Sequence, residues 1–360
     1  MESINPRQKT KKDKKPLYLL LCFIIFFGIF IYLITRPSNQ SKGLKELETS
    51  FNKRDVEMIW YKYKNDLYQD EDFLFAIRTK LSSLNLTEQE EKECISWLPT
   101  PPKSINLIII PDLSRRIIDT LNNPNQIKND LYVFQIIWKS FMDYSRLKQN
   151  TKDRLLIDVT DIEQARGQFG TVADKLQFDL SNHKGKSNIL FFTNAKTSQF
   201  NSSIIELYRL AKTKPLGADY RFYLRRYLKN HLKKSTLFDN YTNKVVFITD
   251  GYLEAENAPA DTKIKGYENA LHDSVLNGNI LDVITVNGLN IPKADIDLSN
   301  SEVLVCEVNE RKSGKSYDFD ILKTYWEDWF KRMNVKKIKI IQREQANQLT
   351  ADHIKEFILQ

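Results

Sequence analysis

Apolar residues are spread along this 360-residue chain in three different ways. From Leu17 to Thr35 they run without a charged residue. At ~1.5 Å per residue that stretch is about 28 Å long as a helix, close to the hydrocarbon thickness of a bilayer. From residue 44 to 97 they recur at helical spacing instead. Leu47, Phe51, Val56, Ile59 and Trp60 form one such set, and Phe73, Leu74, Ile77 and Leu81 another. Thr87 and Glu90 have the spacing of a capping box that opens a helix toward Trp97, and Pro99, Pro101 and Pro102 stop it. Residues 38–45 read as a flexible linker, so 36–102 is predicted to be linker and helical stalk. Beyond 102 the pattern changes again. Short runs rich in Val, Ile, Leu and Phe occur at 105–110, 154–159, 188–193, 244–249, 281–287, 302–308 and 336–342. Amphipathic stretches at 126–148, 200–233, 264–277 and 318–334 lie between them. Continuous apolar runs suit strands buried on both faces, and strand–helix alternation predicts a doubly wound, mostly parallel α/β sheet over 103–345, then a C-terminal helix over 346–360.

Charge sharpens the first segment. Lys and Arg total 54 against 46 Asp and Glu, a net +8. Residues 1–16 carry six of the basic residues and two of the acidic ones, so half the net charge lies before the apolar run. A basic tail ahead of a long span, with no small-residue cleavage pattern around Arg36 and Pro37, predicts an uncleaved signal anchor. The N-terminus is then cytoplasmic, and the chain is a single-pass protein of the inner (plasma) membrane with its main domain periplasmic or extracellular. The span holds no ionisable residue and therefore offers no ion path. Three cysteines exclude a disulfide framework, although Cys94 and Cys306 could form one bridge or stay reduced and buried. Four histidines without ligand-like spacing, and the lack of a glycine-rich phosphate loop, leave no zinc or nucleotide signature.

In doubly wound sheets, ligands bind beyond the carboxyl ends of the strands. The first strand ends in Ile110-Pro111-Asp112-Leu113-Ser114, and a later one in Phe247-Ile248-Thr249-Asp250-Gly251. Asp112 and Asp250 at one sheet edge repel each other unless a cation lies between them. Their oxygens and that of Ser114 suit Mg²⁺ rather than zinc. The plainer alternative is that both aspartates cap the following turn.

The Asp112-x-Ser114 ending, the Ile248-Thr249-Asp250-Gly251 ending and the Leu281–Val286 run after it resemble a von Willebrand factor A-type (vWA) domain across residues 103–345. The resemblance implies a metal-ion-dependent adhesion motif in which Asp112, Ser114, Thr171 and Asp250 hold Mg²⁺, with Thr193 and Thr197 as alternatives for the threonine. The second serine of that motif is replaced by Arg116. A guanidinium cannot ligate a cation. Arg115 or Arg116 could instead pair with the aspartates directly, which makes the motif degenerate, with no cofactor expected beyond a possible Mg²⁺.

Residues 220–234 interleave aromatic and basic side chains, with Arg221, Arg225, Lys229 and Lys233 at four-residue spacing. This reads as an amphipathic helix with a solvated basic face, and no nucleic-acid partner is expected. Asp158 and Asp161 follow a strand and could be catalytic, but strand-end caps are commoner. The expectation is a membrane-anchored, non-enzymatic protein-binding scaffold of an envelope-associated complex, anchored through Leu17–Thr35 and binding through Asp112, Ser114, Arg116 and Asp250. A Mg²⁺-dependent adhesion module and an α/β hydrolase using Asp112 or Asp250 are the alternatives.

Overall fold

The computed structural model describes residues 26–27, 38–148, 152–183, 185–216, 219–253, 269–311, 317–343 and 347–360. The Leu17–Thr35 run lies outside these residues apart from Phe26 and Phe27, and no helix among the described residues is long and apolar enough to cross a membrane. The chain divides into two compact units, residues 1–99 and 100–360.

The first unit contains α1 (Asn39–Glu48), α2 (Lys53–Leu67), α3 (Glu71–Ser83) and α4 (Glu88–Trp97). Each starts at a side chain that caps its first turn: Ser38, Asn52, Asp70 and Thr87. The Thr87–Glu90 capping box is present. Residues 39–45, within the expected linker, are helical as part of α1. Leu47 is buried, and Gly43 lies so close to α3 that a Cβ there would sit 2.7 Å from the Phe73 ring. A glycine that signals flexibility in the sequence serves close packing here. Val56, Trp60, Phe73, Ile77 and Leu81 form the small core.

The second unit is an α/β fold around a six-stranded sheet. Its strands are β1 (Lys103–Pro111), β2 (Arg154–Ile157), β3 (Gln177–Asp179), β4 (Asn240–Ile248), β5 (Ser301–Val308) and β6 (Lys337–Gln342). Their spatial order is β3-β2-β1-β4-β5-β6, and every pairing is parallel except β2 with the edge strand β3. This is a doubly wound order, with its topological switch between β1 and β4. Alternation along β1 explains its unbroken apolar run. Ile105, Leu107 and Ile109 join the core on one face, and Ile108 and Ile110 the core on the other. On the first face lie α5 (Gln126–Arg146), α8 (Lys186–Thr213) and α14 (Asn347–Leu359), beside the short α6 (Ile162–Ala165) and α7 (Gln168–Asp174). The second face is covered by α9 (Tyr220–Tyr223), a π turn (Leu224–Leu228) and α10 (Lys229–His231), with α11 (Asn269–Leu276), α12 (Ile280–Val286) and α13 (Asp318–Lys331).

Two expected strands are helices. Residues 188–193 form the start of α8, where Ile189 and Thr193 face the core while Leu190 and Phe191 are exposed. Thr193 and Thr197 therefore lie within a helix rather than after a strand. Residues 281–287 fall largely in α12, which buries only Ile284. The strand that pairs with β4 beyond the Asp250 loop is β5, not the Leu281–Val286 run. A six-residue apolar run fits a helix and a strand equally well, and tertiary packing decides. Neither Cys94 nor Cys306 is in a disulfide; each is a buried free thiol in its own unit.

Candidate functional site

The ends of β1 and β4 are adjacent, with Pro111 paired to Ile248. The register continues one step further, as Asp112 N–H donates to the Ile248 carbonyl at 2.9 Å. Asp112 and Asp250 therefore leave the sheet side by side at its switch point, and both are buried. Ser114 caps a short 3-10 turn (Arg115–Ile117) and accepts from Arg116 N–H at 3.4 Å. From this turn the Arg116 side chain reaches back to the Asp112 carbonyl.

Arg116 binds four groups. Its Nε donates to the Asp112 carbonyl at 3.0 Å and lies 3.3 Å from Asp112 Oδ2. Its Nη2 lies 2.8 Å from both Asp130 Oδ2 and the Ile248 carbonyl. Sequence reasoning missed Asp130, and the apolar face of α5 carried the signal. Val133, Phe134, Ile137 and Phe141 define that face, and Gln126 and Asp130 continue it toward the helix start. Polar residues at such positions need partners. Asp130 accepts from Gln126 at 2.6 Å and from Tyr208 at 2.8 Å in addition to Arg116. Gln126 in turn accepts from Arg343, whose Nε lies 2.9 Å from Glu307 Oε2. Glu307 sits at a bulge of β5 with φ +68°.

The aspartate oxygens are engaged. Asp112 Oδ1 accepts from Ser114 N–H at 3.0 Å, and its Oδ2 from the Thr249 hydroxyl at 2.9 Å. Asp250 Oδ1 accepts from Tyr252 N–H at 3.3 Å. Its Oδ2 accepts from Asn123 at 3.3 Å and lies 3.5 Å from Arg311 Nη2. Arg311 stacks 4.0 Å over the Tyr252 ring. Thr171 is exposed on α7, and its hydroxyl donates to the Gly167 carbonyl at 3.2 Å.

Electrostatics follow from burial. Burial and the nearby Asp112 charge push the Asp250 carboxyl up to about 6, although Arg116 and Arg311 oppose this. Burial likewise raises Asp130 and Glu307, against the pull of Arg116 and Arg343 respectively. Burial disfavours the Arg116 cation, but Asp130 and Asp112 outweigh it and hold its pKa well above the ordinary arginine value.

Asp112, Asp130 and Asp250 thus surround a guanidinium fixed by backbone and side-chain acceptors. A divalent cation entering here would meet that guanidinium's charge and oxygens that already accept hydrogen bonds. The rim of this edge is mixed: Ile118 and Leu121, on the loop after the 3-10 turn, are exposed together with Arg115, Thr120 and Asn125.

Asp158 follows β2 and accepts from the Tyr223 hydroxyl at 2.9 Å, with His231 Nε2 also at 2.9 Å. It holds α9 and α10 to the sheet edge. Asp161 caps α6 by accepting from Gln164 N–H at 2.9 Å. Neither a protein-family profile nor a curated protein sequence matches the chain.

Proposed function

We propose that this chain is a membrane-anchored protein-binding module with a vWA-like domain, and that its partner docks at the carboxyl edge of the sheet. The membrane part of the reading rests on the uncharged Leu17–Thr35 run and the basic residues before it. The vWA-like part rests on the strand order with its antiparallel edge strand, and on Asp112, Ser114 and the Thr249-Asp250-Gly251 turn meeting at the switch point. One observation carries the functional part. Arg116 supplies a built-in cation to Asp112 and Asp130, so these buried carboxylates are paired without an added ion. Beside it, Ile118 and Leu121 are exposed on the loop whose Asp119 feels the charge of Arg311, the mix of apolar and guanidinium surface that protein interfaces favour.

A catalytic reading has less support. Asp112 and Asp250, the residues such a reading would use, accept hydrogen bonds from Ser114 N–H, the Thr249 hydroxyl, Tyr252 N–H and Asn123 and face Arg116 and Arg311.

The test is site-specific photocrosslinking of the full chain in its native membrane. A photoreactive residue at Leu121 should give one discrete adduct with another protein. The same residue at Ser299, before the amino end of β5, should give none. No adduct at Leu121, or the same adduct from both positions, would sink the reading. Calorimetry of the full chain with Mg²⁺ and Mn²⁺ should give no binding heat. A micromolar affinity lost in Asp112→Ala would favour the metal-dependent adhesion module instead.

A further inference from the structure

Tyr220, Leu224 and Leu228 are buried against the sheet face that carries Phe247, and partly buried Leu232 continues the row. Their spacing is four residues. An α-helix turns ~100° per residue, so a four-residue row drifts by about 40° at each step. The wider π turn at Leu224–Leu228 absorbs that drift and keeps the row on the core. The same correction lines up Arg221, Arg225 and Lys229 on the next row, with Arg226 beside it. Lys233 and Lys234 follow in the extended segment after His231.

Four of these six cations, Arg225, Arg226, Lys229 and Lys234, are exposed. Residues 220–234 contain no acidic residue, and none of the six cations forms an ion pair among the described residues. Surface charges of both signs are ordinarily interspersed. They are so elsewhere on this unit, where Arg209 pairs with Glu206 and Arg332 with Asp328. Half-buried Phe222 and Tyr227 lie among the cations, 5.9 Å apart edge to face, with Arg226 6.0 Å from the Phe222 ring.

We propose that this basic row is a docking surface for the anionic phospholipid headgroups of a bilayer. Arg225, Arg226 and Lys229, exposed on one short helical segment and followed by exposed Lys234, present several cations over one surface, which matches a dense array of phosphates better than one compact anion. Arginine and lysine beside tyrosine is the composition of a headgroup-level contact. The occupant rests on the membrane anchoring proposed above, which keeps a bilayer within reach. The attraction acts over about a Debye length, ~8 Å at physiological ionic strength, so docking is salt-sensitive.

The test holds the full chain in zwitterionic phosphatidylcholine nanodiscs and adds large vesicles. The chain should sediment with vesicles containing phosphatidylglycerol, should be released by high salt, and should not sediment with pure phosphatidylcholine vesicles. The variant Arg225→Gln, Arg226→Gln, Lys229→Gln, Lys234→Gln should bind at least about tenfold more weakly, with its circular dichroism unchanged. Equal sedimentation with both vesicle types, or undiminished binding by the variant, overturns the proposal. So does tighter binding of a DNA duplex than of anionic vesicles through the same residues. A chain that does not co-elute with the nanodiscs counts against the anchor alone, and the vesicle comparison is then made without them.

Discussion

Arg116 Nη2 and Asp130 Oδ2 lie 2.8 Å apart, and both side chains are almost entirely removed from solvent. The pair joins the loop after β1 to the face of α5 that packs on the sheet. Breaking such a pair from one side leaves a buried charge unmatched. Asp130→Ala should therefore lower stability by about 3–5 kcal/mol, read as a shift in the urea midpoint. The double variant Arg116→Met, Asp130→Leu should recover only part of that loss, because buried Asp112 keeps its charge and loses the guanidinium that faces it. A loss below about 1 kcal/mol in the single variant would show that the pair is not what fixes the loop.

Asp250 gives a pH dependence of unusual sign. Its folded pKa of about 6 lies above the ordinary aspartate value of 3.8, so between these values the folded state holds more of the proton. Its contribution therefore favours folding at acid pH and is lost as pH rises through about 6, by up to roughly 3 kcal/mol. Asp250→Asn removes this titration. The stability difference between wild type and Asp250→Asn should grow from pH 4 to pH 7, with the variant the more stable at pH 7. A difference that does not change with pH would show that Asp250 is ionised throughout.

Gly251 follows directly with φ +93°, and a Cβ there would sit 2.8 Å from Val308 Cγ1. Gly185 has φ +84°, but a Cβ there would meet nothing within 4 Å. Gly251→Ala should therefore cost both left-handed strain and overpacking, about 2–4 kcal/mol together, and Gly185→Ala only the strain of about 1–2 kcal/mol. Equal urea midpoints for the two variants would refute the close approach of β5 to this turn.

Lys244 lies in the middle of β4, fully buried, 2.8 Å from Glu302 Oε2 and donating to the Phe357 carbonyl at 2.7 Å. Burial lowers its pKa, while Glu302 opposes the shift. The bond to Phe357 ties the last turns of α14 to the sheet. Lys244→Met should speed backbone hydrogen exchange across 347–359 more than across α8. Uniform change in both helices would mean that Lys244 supports the sheet generally.

The parts of the fold that are legible in the sequence are those in which one local signal dominates. β1, β4 and β5 are long apolar runs, and buried parallel strands have that signature. The Thr87 cap, and Asp112 beside Asp250, follow from strand and helix ends. The parts that escape sequence reasoning depend on partners distant in the chain. Leu190 and Phe191 look like strand residues but are exposed on α8. β3 has three residues, of which only Phe178 is buried, too few to show a period. Asp130 needs Arg116 and Tyr208 to be tolerable, and Tyr208 lies 78 residues away. Arg116 itself reads as a departure from a metal motif, and only its neighbours show which groups its charge meets.

The proposal that this guanidinium stands where a vWA-like site would hold an ion leads to the last expectation. Arg116→Ser would leave Asp112, Asp130 and Asp250 without their shared buried cation, and like charges confined together repel. The variant should melt well below wild type in chelator. On the vWA-like reading proposed above, the substitution also supplies a hydroxyl two residues after Ser114, where a metal motif would carry one. Millimolar Mg²⁺ or Mn²⁺ should therefore raise the variant's melting temperature and leave wild type unmoved. A variant indifferent to Mg²⁺, Mn²⁺ and Ca²⁺ would show that Arg116 does not occupy a position a cation could take. The edge would then be an ion-pair network without kinship to a metal site.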